Sequence, residues 1–231
     1  MLKIENAEIM GWEHAIRGMR NPKNSWEKSD SAGVPICNEL KDMFFTKCFK
    51  IGENDLDLMT RLRNADTDHR KFMRMITVYL DITAPLYWWK EFDTYKVGTV
   101  ANSCSTMHKI ADKEFTLEDF SHEHLTAQSI ECLKNIVSLL NVYRSLYISK
   151  TDQQVDQYTV MSDECYAKYK KDIWWQMIQL LPSSYDQRRT VMLNYEVLAN
   201  IYKSRRNHKL DEWHTFCDWI ERLPYSELIT G

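Results

Sequence analysis

The sequence predicts a single α+β domain, residues 1–231, in which several long helices pack on a small, mainly antiparallel sheet. Residues 76–83 alternate between apolar and polar side chains, which is the two-residue period of a strand. Most of the second half instead shows helical spacing, and no repeat or linker divides the chain. With 44% hydrophobic and 27% charged residues, the composition is that of a globular protein with a sizeable core.

Helix and strand boundaries follow from periodicity and from turn residues. Asn21-Pro22 ends the first helix, and Pro182 and Pro224 end two later ones. Thr83 is expected to cap an aromatic helix that has Pro85 in its first turn. The predicted elements are a strand at 2–10, a helix at 12–19, a loop at 21–35, a helix at 54–64, a strand at 76–83, a central aromatic helix to about residue 92, a polar loop at 94–108, and helices at 130–148, 162–181, 186–206 and 211–223.

Composition also excludes several classes of function. The net charge of −3 argues against binding nucleic acid through bulk positive charge. Only 6 glycines are present, without a glycine-rich phosphate loop, which argues against a classical dinucleotide fold or a P-loop enzyme. The sequence shows neither a signal peptide nor a membrane-spanning segment, and its six cysteines form no C-x-x-C pair. We therefore expect a cytoplasmic protein with reduced thiols and no membrane partner.

Several side chains suggest chemistry, each beside a simpler interpretation. His122 and His124 could bind a metal only on a strand, and without a third ligand they more simply begin a solvated helix, so no metal site is predicted. Cys104, with His108 four residues on and His69 possible across the fold, could be a nucleophile; its simpler interpretation is a small packed or hydrogen-bonding side chain in a loop. The pairs Trp88-Trp89 and Trp174-Trp175 are expected in the core.

The basic cluster at 204–209 either complements a helix dipole or binds a phosphate or a pyrimidine carbonyl. Asn194 and Arg205 are eleven residues apart, which on one continuous helix would place both on one face. This spacing weakly favours a shared site that contains both side chains.

Two sets of intervals resemble the flavin-dependent thymidylate synthases. In that family a His precedes an Arg-His-Arg triplet by 25 residues, and seven residues separate the triplet from Ser-x-Arg. The same intervals occur here between His69, Thr94-Tyr95-Lys96 and Cys104-Ser105-Thr106. An LP dipeptide followed by two Asn and an Arg corresponds to Leu181-Pro182, Asn194, Asn200 and Arg205. The resemblance covers roughly residues 55–222 and lies in spacing more than in identity, because several family arginines are replaced.

The resemblance implies a homotetramer with shared sites that converts dUMP to dTMP. FAD would be the cofactor, with methylenetetrahydrofolate and NADPH as co-substrates. By position, the cofactor-binding residues would be His69, Tyr95, Lys96, Asn194 and Asn200. Arg205 would be catalytic and would orient the pyrimidine, and the substrate-binding residues would be Glu91, Asn102, Cys104, Ser105, Thr106 and Arg205. A bacterial or phage-infected cell would be the setting.

Two alternatives remain because the motif residues are substituted. The altered pocket could modify another pyrimidine nucleotide at C5, for example by hydroxymethylation, since Glu91, Asn102 and Cys104 would change the groups that meet a base edge. Loss of arginines could instead indicate a non-catalytic protein that binds a nucleotide or flavin on the same scaffold.

Overall fold

The computed structural model describes residues 2–34, 48–149, 154–156, 159–160 and 162–231. Contacts divide the chain into two compact units. The first comprises Ala84–Trp89 and Ser103–Gln187, and the second comprises Leu2–Thr83, Lys90–Asn102 and Arg188–Gly231. The single domain expected from the sequence stays a prediction.

Helices alternate with short strands along the chain. The strands are β1 (Lys3–Met10), β2 (Ala32–Val34), β3 (Cys48–Lys50), β4 (Thr77–Pro85), β5 (Val100–Ser103), β6 (Gln154–Asp156), β7 (Thr159–Val160) and β8 (Asp186–Asn194). The α-helices are α1 (Trp12–Arg20), α2 (Glu53–Ala65), α3 (Leu86–Phe92), α4 (Ala127–Ile148), α5 (Asp163–Leu180), α6 (Tyr195–Arg205), α7 (Asp211–Glu221) and α8 (Glu227–Thr230). Within the described ranges, four 3-10 helices occupy Asn21–Lys23, Trp26–Lys28, His69–Met75 and Leu117–Asp119.

The largest sheet has four strands in the order β1-β4-β8-β5. β1 runs antiparallel to β4, with Ile4 opposite Ile82. Val78 and Leu80 are buried whereas Tyr79 is exposed, so the predicted strand alternation is confirmed. The predicted class, an α+β fold of long helices with a small antiparallel sheet, is confirmed as well.

Polar side chains support the sheet in the second unit. Asp81 accepts hydrogen bonds from Thr190 Oγ1 at 2.5 Å, Arg188 Nη2 at 2.7 Å and Asn6 Nδ2 at 2.8 Å. In that order of importance, these bonds lower the pKa of Asp81 to about 2. The carboxylate therefore remains ionised at neutral pH, where it links β1, β4 and β8 by charge-assisted bonds.

Residues 186–194 form strand β8, so the prediction of one helix over 186–206 is wrong for its first half. Gln187, Val191 and Leu193 are buried and alternate with more accessible residues, which is a strand pattern. The two arginines at 188 and 189 interrupt the apolar series in the sequence. Pairing in the sheet thus outweighs the helical propensity of the segment.

Three smaller expectations are also corrected. Thr83 does not cap a helix, because β4 continues through Pro85 and Thr83 pairs with Lys3; α3 begins only at Leu86. The expected loop at 21–35 contains two 3-10 helices and strand β2, and the expected loop at 94–108 contains β5. Short elements of this kind carry too few residues for a periodic pattern to show.

The core of the first unit lies between α4, α5 and the segment before α4. Phe115, Phe120, Leu140 and Met177 are among its buried members. Phe120 forms a bridge with Tyr185. Trp88 and Trp89, at the start of α3, are fully buried and in edge contact at 4.9 Å between ring centroids, which confirms the core prediction for this pair.

The second tryptophan pair is divided between core and solvent. Trp174 packs on the core of the first unit, and its Nε1 donates to the carbonyl of Met107 at 3.0 Å. Trp175 is 40% exposed, so the core prediction is wrong for this residue. Adjacent residues on a helix point about 100° apart, and only one of them can face the core of a two-layer packing.

The second unit is built around α6, whose residues from Tyr195 to Tyr202 are buried except for Asn200. The ring of Trp12 on α1 meets Tyr195 edge-on at 5.1 Å between centroids. Burial raises the pKa of Tyr195 well above its usual value, and its hydroxyl donates to the carbonyl of Pro224 at 2.7 Å. Over the described residues, no helix is long and apolar enough to cross a membrane.

Candidate functional site

Arg205 and Glu91 form the centre of a polar cluster in the second unit. Arg205 is the last residue of α6, and Glu91 lies on α3. Arg205 Nη1 donates to Glu91 Oε2 at 2.7 Å, and Nε donates to the hydroxyl of Tyr95 at 3.0 Å. The sequence-predicted residues Glu91, Tyr95 and Arg205 are therefore in direct contact, although the first and last are 114 positions apart.

The same oxygen of Glu91 accepts a further hydrogen bond and lies close to a histidine ring. Trp213 Nε1 donates to Glu91 Oε2 at 2.9 Å, and His208 Nε2 lies 3.2 Å from it. The backbone N–H of Leu210 donates to His208 Nδ1 at 3.2 Å. A neutral His208 must then carry its proton on Nε2, which makes the ring a donor to Glu91.

The rings of Trp213 and Tyr95 pack against the Arg205 guanidinium. Its Cζ lies 4.9 Å from the centroid of the Trp213 ring and 5.7 Å from that of Tyr95. Both distances lie within the range of cation–π attraction. The Arg205 side chain is 18% exposed, so these partners hold the guanidinium in position while a small part of it stays accessible. Such a group can direct two parallel donors at a carbonyl or an anion.

Asn194 stands at the other end of α6. Its side chain caps the helix, with Oδ1 accepting from the backbone N–H of Val197 at 3.0 Å. Asn194 ends β8 and caps α6, so the premise of one continuous helix through both residues is wrong, and a site shared by Asn194 and Arg205 stays a prediction. At 1.5 Å per residue the two Cα atoms are roughly 16 Å apart along the helix axis.

Gly98 brings the loop before β5 against Asn194. It has a φ of +79°, and a Cβ added there would lie 2.8 Å from Asn194 Nδ2. Only glycine combines this left-handed backbone with so close an approach. The amide nitrogen of Asn194 therefore faces backbone. Lys96, two residues earlier, and Asn102 in β5 are exposed.

His69 and Asn200 line two separate cavities of the second unit. His69 begins a 3-10 helix, is exposed, and borders a largely apolar cavity of about 420 Å³ with Leu58, Leu62 and Phe72. Asn200 is exposed on α6 and borders a cavity of about 460 Å³. We call the second cavity the basic cavity; its lining residues are Arg63, Asn64, Arg70, Ala199, Asn200, Tyr202, Lys203, Arg206, Asn207, Ile229 and Thr230.

Cys104, Ser105 and Thr106 belong to the first unit, where they form a turn after β5. Gln187 Nε2 donates to the carbonyl of Cys104 at 2.9 Å, and the backbone N–H of His108 donates to Ser105 Oγ at 3.0 Å. The Cys104 side chain is exposed and Thr106 is partly buried. The packed interpretation of Cys104 is therefore wrong; the residue lies in a loop and accepts a hydrogen bond through its backbone carbonyl, and a nucleophilic role of its thiol stays a prediction.

Glu196 anchors two arginines that the sequence interpretation did not single out. It is buried, and its carboxylate forms ion pairs with Arg74 and Arg70, the latter at 3.3 Å. The hydrogen bond to Glu196 raises the pKa of Arg74 above its usual value. A buried carboxylate needs cationic partners, and here Arg74 and Arg70 provide them.

His122 and His124 lie in a turn before α4, whose N-cap is Thr126, so the predicted helix start at these residues is wrong. His122 Nδ1 lies 2.7 Å from the carbonyl oxygen of Phe120. Among the described residues, no group of three His, Cys, Asp or Glu side chains is arranged to hold a metal ion.

Comparison with solved structures identifies the fold. The chain matches the crystal structure of the flavin-dependent thymidylate synthase ThyX from Helicobacter pylori complexed with FAD and dUMP, with a TM-score of 0.61, 16% identity, and coverage of 99% of this chain and 97% of that chain. A second structure of the Helicobacter pylori enzyme with FAD and dUMP matches with a TM-score of 0.59, 16% identity, and coverage of 100% and 97%. No protein-family model and no curated protein matches.

At this identity the similarity shows the fold alone. The chain has the fold of the flavin-dependent thymidylate synthases over nearly its whole length, as the resemblance in spacing predicted. Fold by itself does not assign an activity, which has to be argued from the site.

Proposed function

We propose that this protein is a divergent flavin-dependent thymidylate synthase. In the proposed reaction, methylenetetrahydrofolate gives its methylene to C5 of dUMP in place of the C5 proton, and a hydride completes the methyl group of dTMP. NADPH would reduce the flavin for the next turnover. We further propose a homotetramer with shared sites, built from single-domain chains, in the cytoplasm of a bacterial or phage-infected cell. The observation that supports this most is the contact of Glu91, Tyr95 and Arg205 within a chain of this fold.

The residues present suit FAD in their donor chemistry. A dinucleotide cofactor needs cations or N–H donors for its pyrophosphate and flat surfaces for its rings. Lys96 and Asn200 are exposed donors, and Tyr95 offers a ring. His69 borders a largely apolar cavity. We assign these residues and Asn194 to the cofactor; bound FAD, once reduced, would supply the hydride.

Arg205 is the residue proposed to orient the pyrimidine. Its guanidinium is already fixed by Glu91, Tyr95 and the Trp213 ring, so little side-chain entropy is lost when a carbonyl binds. Glu91 can accept a hydrogen bond from a base N–H on its other carboxylate oxygen. We propose Asn102, Cys104, Ser105 and Thr106 as further contacts to the nucleotide. All of these side chains act by positioning and by electrostatics.

Product analysis with an Arg205 variant tests the proposal. The protein is incubated with dUMP or dCMP, methylenetetrahydrofolate, FAD and NADPH, and the nucleotides are identified by mass spectrometry. We expect dTMP from dUMP, and Arg205→Gln should lower kcat/KM about 100-fold, as removal of one pre-positioned donor does. Arg222→Gln, at an exposed arginine beyond α7, is the matched control. Equal activities of the two variants would contradict the assignment of Arg205.

The occupation of Arg205 by Glu91 favours a second candidate, a non-catalytic nucleotide- or flavin-binding protein. The ion pair satisfies one edge of the guanidinium within the chain itself. Binding of dUMP or FAD without any product under the conditions above would support this candidate, and dTMP formation would reject it. A C5-hydroxymethylated product from dCMP would instead support the modification of another pyrimidine.

A further inference from the structure

The basic cavity gathers positive charge beyond the motif residues. The described residues that line it include the cations Arg63, Arg70, Lys203 and Arg206. No acidic side chain is among these lining residues. They come from α2, from the 3-10 helix at His69–Met75, and from the end of α6, so folding brings together residues that are far apart in sequence. Like charges held around one cavity repel each other, and a bound anion relieves this repulsion.

Two of these cations have no carboxylate partner in the part of the chain that the structure describes. Arg63 Nη1 donates to Asn64 Oδ1 at 2.8 Å, and Nη2 donates to the carbonyl of Ile229 at 3.2 Å, so its partners are neutral oxygens. Lys203 is exposed and forms no ion pair with a described residue. By contrast, Arg206 lies 3.6 Å from Glu221 on the side of α7.

Arg70 is incompletely satisfied at the wall of the cavity. Among the described residues, its buried Nε has no hydrogen-bond partner, because the nearby Glu196 oxygen at 3.3 Å does not meet hydrogen-bond geometry. Its Nη2 reaches Asn200 Oδ1 only at 3.5 Å. Arg70 keeps its ion pair with Glu196, but a buried N–H donor that makes no hydrogen bond is costly, and a ligand at the cavity wall can complete the bonding of this side chain.

We propose that the basic cavity is a binding site for the phosphate groups of a phosphate-bearing ligand, with Arg63, Arg70, Lys203 and Arg206 as its cations. Its volume of about 460 Å³ is ample for a diphosphate. Guanidinium groups bind phosphate oxygens in bidentate pairs, and the amides of Asn64, Asn200 and Asn207 add neutral donors. Helix dipoles explain the basic residues at the ends of α6 and α2, Arg63 included, but they do not explain Arg70 in the 3-10 helix or the convergence of all four cations on one cavity.

The basic cavity shares Asn200 with the residues proposed to bind the cofactor, whereas none of its four cations is among the residues assigned to the synthase reaction. The ligand could be a free nucleoside diphosphate or the pyrophosphate of a dinucleotide cofactor, and the chemistry common to both is a diphosphate. Titrations with ADP and with FAD distinguish these two sources. Either can bind whether or not dTMP is made, so failure of this proposal and failure of the proposed function give different results.

Calorimetric titration of the purified protein with inorganic pyrophosphate tests the site. We expect saturable binding with one site per chain that weakens as salt is raised, because exposed charges are screened. Lys203→Ala should weaken this binding about ten-fold, as loss of one charge-assisted contact does. Lys171→Ala, at an exposed lysine of α5 outside the cavity, is the matched control and should bind as the parent protein does.

A second variant tests whether weaker pyrophosphate binding by Lys203→Ala reflects lost charge at the cavity and not a general change in the protein. Asn200→Asp keeps the size of an exposed side chain and places a negative charge at the cavity wall, so it should abolish pyrophosphate binding. Absence of saturable binding by the parent protein, or equal affinities of the Lys203→Ala and Lys171→Ala proteins, would overturn the proposal. Unimpaired binding by Asn200→Asp would overturn it as well.

Discussion

Replacement of Asp55 by Asn is expected to destabilise the second unit more than any exposed substitution. Asp55 is fully buried at the start of α2. It accepts hydrogen bonds from Arg20 Nε at 2.6 Å, Ser31 Oγ at 2.6 Å, Ser29 Oγ at 2.7 Å and the backbone N–H of Asp30 at 3.2 Å. Arg20 is itself buried, with 4% of its side chain exposed. Asn at this position leaves a buried cation without its counter-charge.

The size of the effect follows from the burial of both partners. Breaking a buried ion pair by neutralising one member costs about 3–5 kcal/mol, because the remaining charge stays desolvated. Asp57→Asn, two residues along the same helix, is the control: Asp57 pairs with Arg61 at 2.8 Å, but its side chain is 65% exposed. An exposed pair of this kind contributes about 0.3–0.5 kcal/mol.

Urea unfolding followed by circular dichroism measures the difference. With an m-value of about 2–3 kcal/mol per molar, Asp55→Asn should lower the unfolding midpoint by roughly 1–2 M, and Asp57→Asn by about 0.2 M. Similar midpoints for the two variants would refute the reasoning, since Asp55 exceeds Asp57 both in burial and in the number of hydrogen bonds that it accepts.

Acid titration checks the same pair independently. Burial raises the pKa of Asp55, but hydrogen bonds from Ser31, Ser29 and Arg20 outweigh this effect and hold the pKa below the usual 3.8. A carboxylate with a lowered folded-state pKa contributes stability above the unfolded pKa and loses it as the pH falls through the folded value. Asp55→Asn should therefore flatten the fall in stability below about pH 4.

Three further outcomes are expected. Gly98→Ala should lower the free energy of unfolding by about 1–3 kcal/mol in thermal unfolding, because φ is positive there and the new Cβ would lie 2.8 Å from Asn194 Nδ2. Gly33 has open space around it, so Gly33→Ala should have little effect. Equal losses in the two variants would contradict this. Burial and nearby acids raise the pKa of Cys217 to about 11, so iodoacetamide at pH 8 should label the exposed Cys104 well before Cys217 by peptide mass spectrometry, and the reverse order would be inconsistent with the fold. The parent protein should lose the stability that Asp81 contributes as the pH falls from about 4 to about 2, and Asp81→Asn should lack this contribution. The same fall in the free energy of unfolding below pH 4 in both proteins would count against the three hydrogen bonds of Asp81.

Long periodic segments were predictable from the sequence, and segments shaped by pairing were not. The alternation from Ile76 to Ile82 predicts β4 because one face of that strand is fully buried. Strand β8 was not predicted, because Arg188 and Arg189 interrupt its apolar series. Arg188 pairs with Asp81 on the neighbouring strand β4, and no local sequence pattern encodes such a partner. Thr83 and Pro85 carry local helix signals that the antiparallel pairing with β1 overrides.

The candidate site shows a similar division between local and long-range information. Spacing selected Glu91, Tyr95 and Arg205, and the structure brings them into contact. Spacing did not select Trp213, which donates to Glu91 from α7, because such a contact depends on how helices pack. Likewise, the cations of the basic cavity approach one another only in the folded chain. Motif intervals therefore indicate which positions carry chemistry, and tertiary structure decides their partners.

The visible absorption spectrum of the purified protein, recorded before and after addition of FAD and again after gel filtration, tests the central claim most directly. The proposed synthase should retain the absorption of bound flavin through gel filtration. A colourless protein that takes up no FAD would contradict the account, whatever the similarity of its fold.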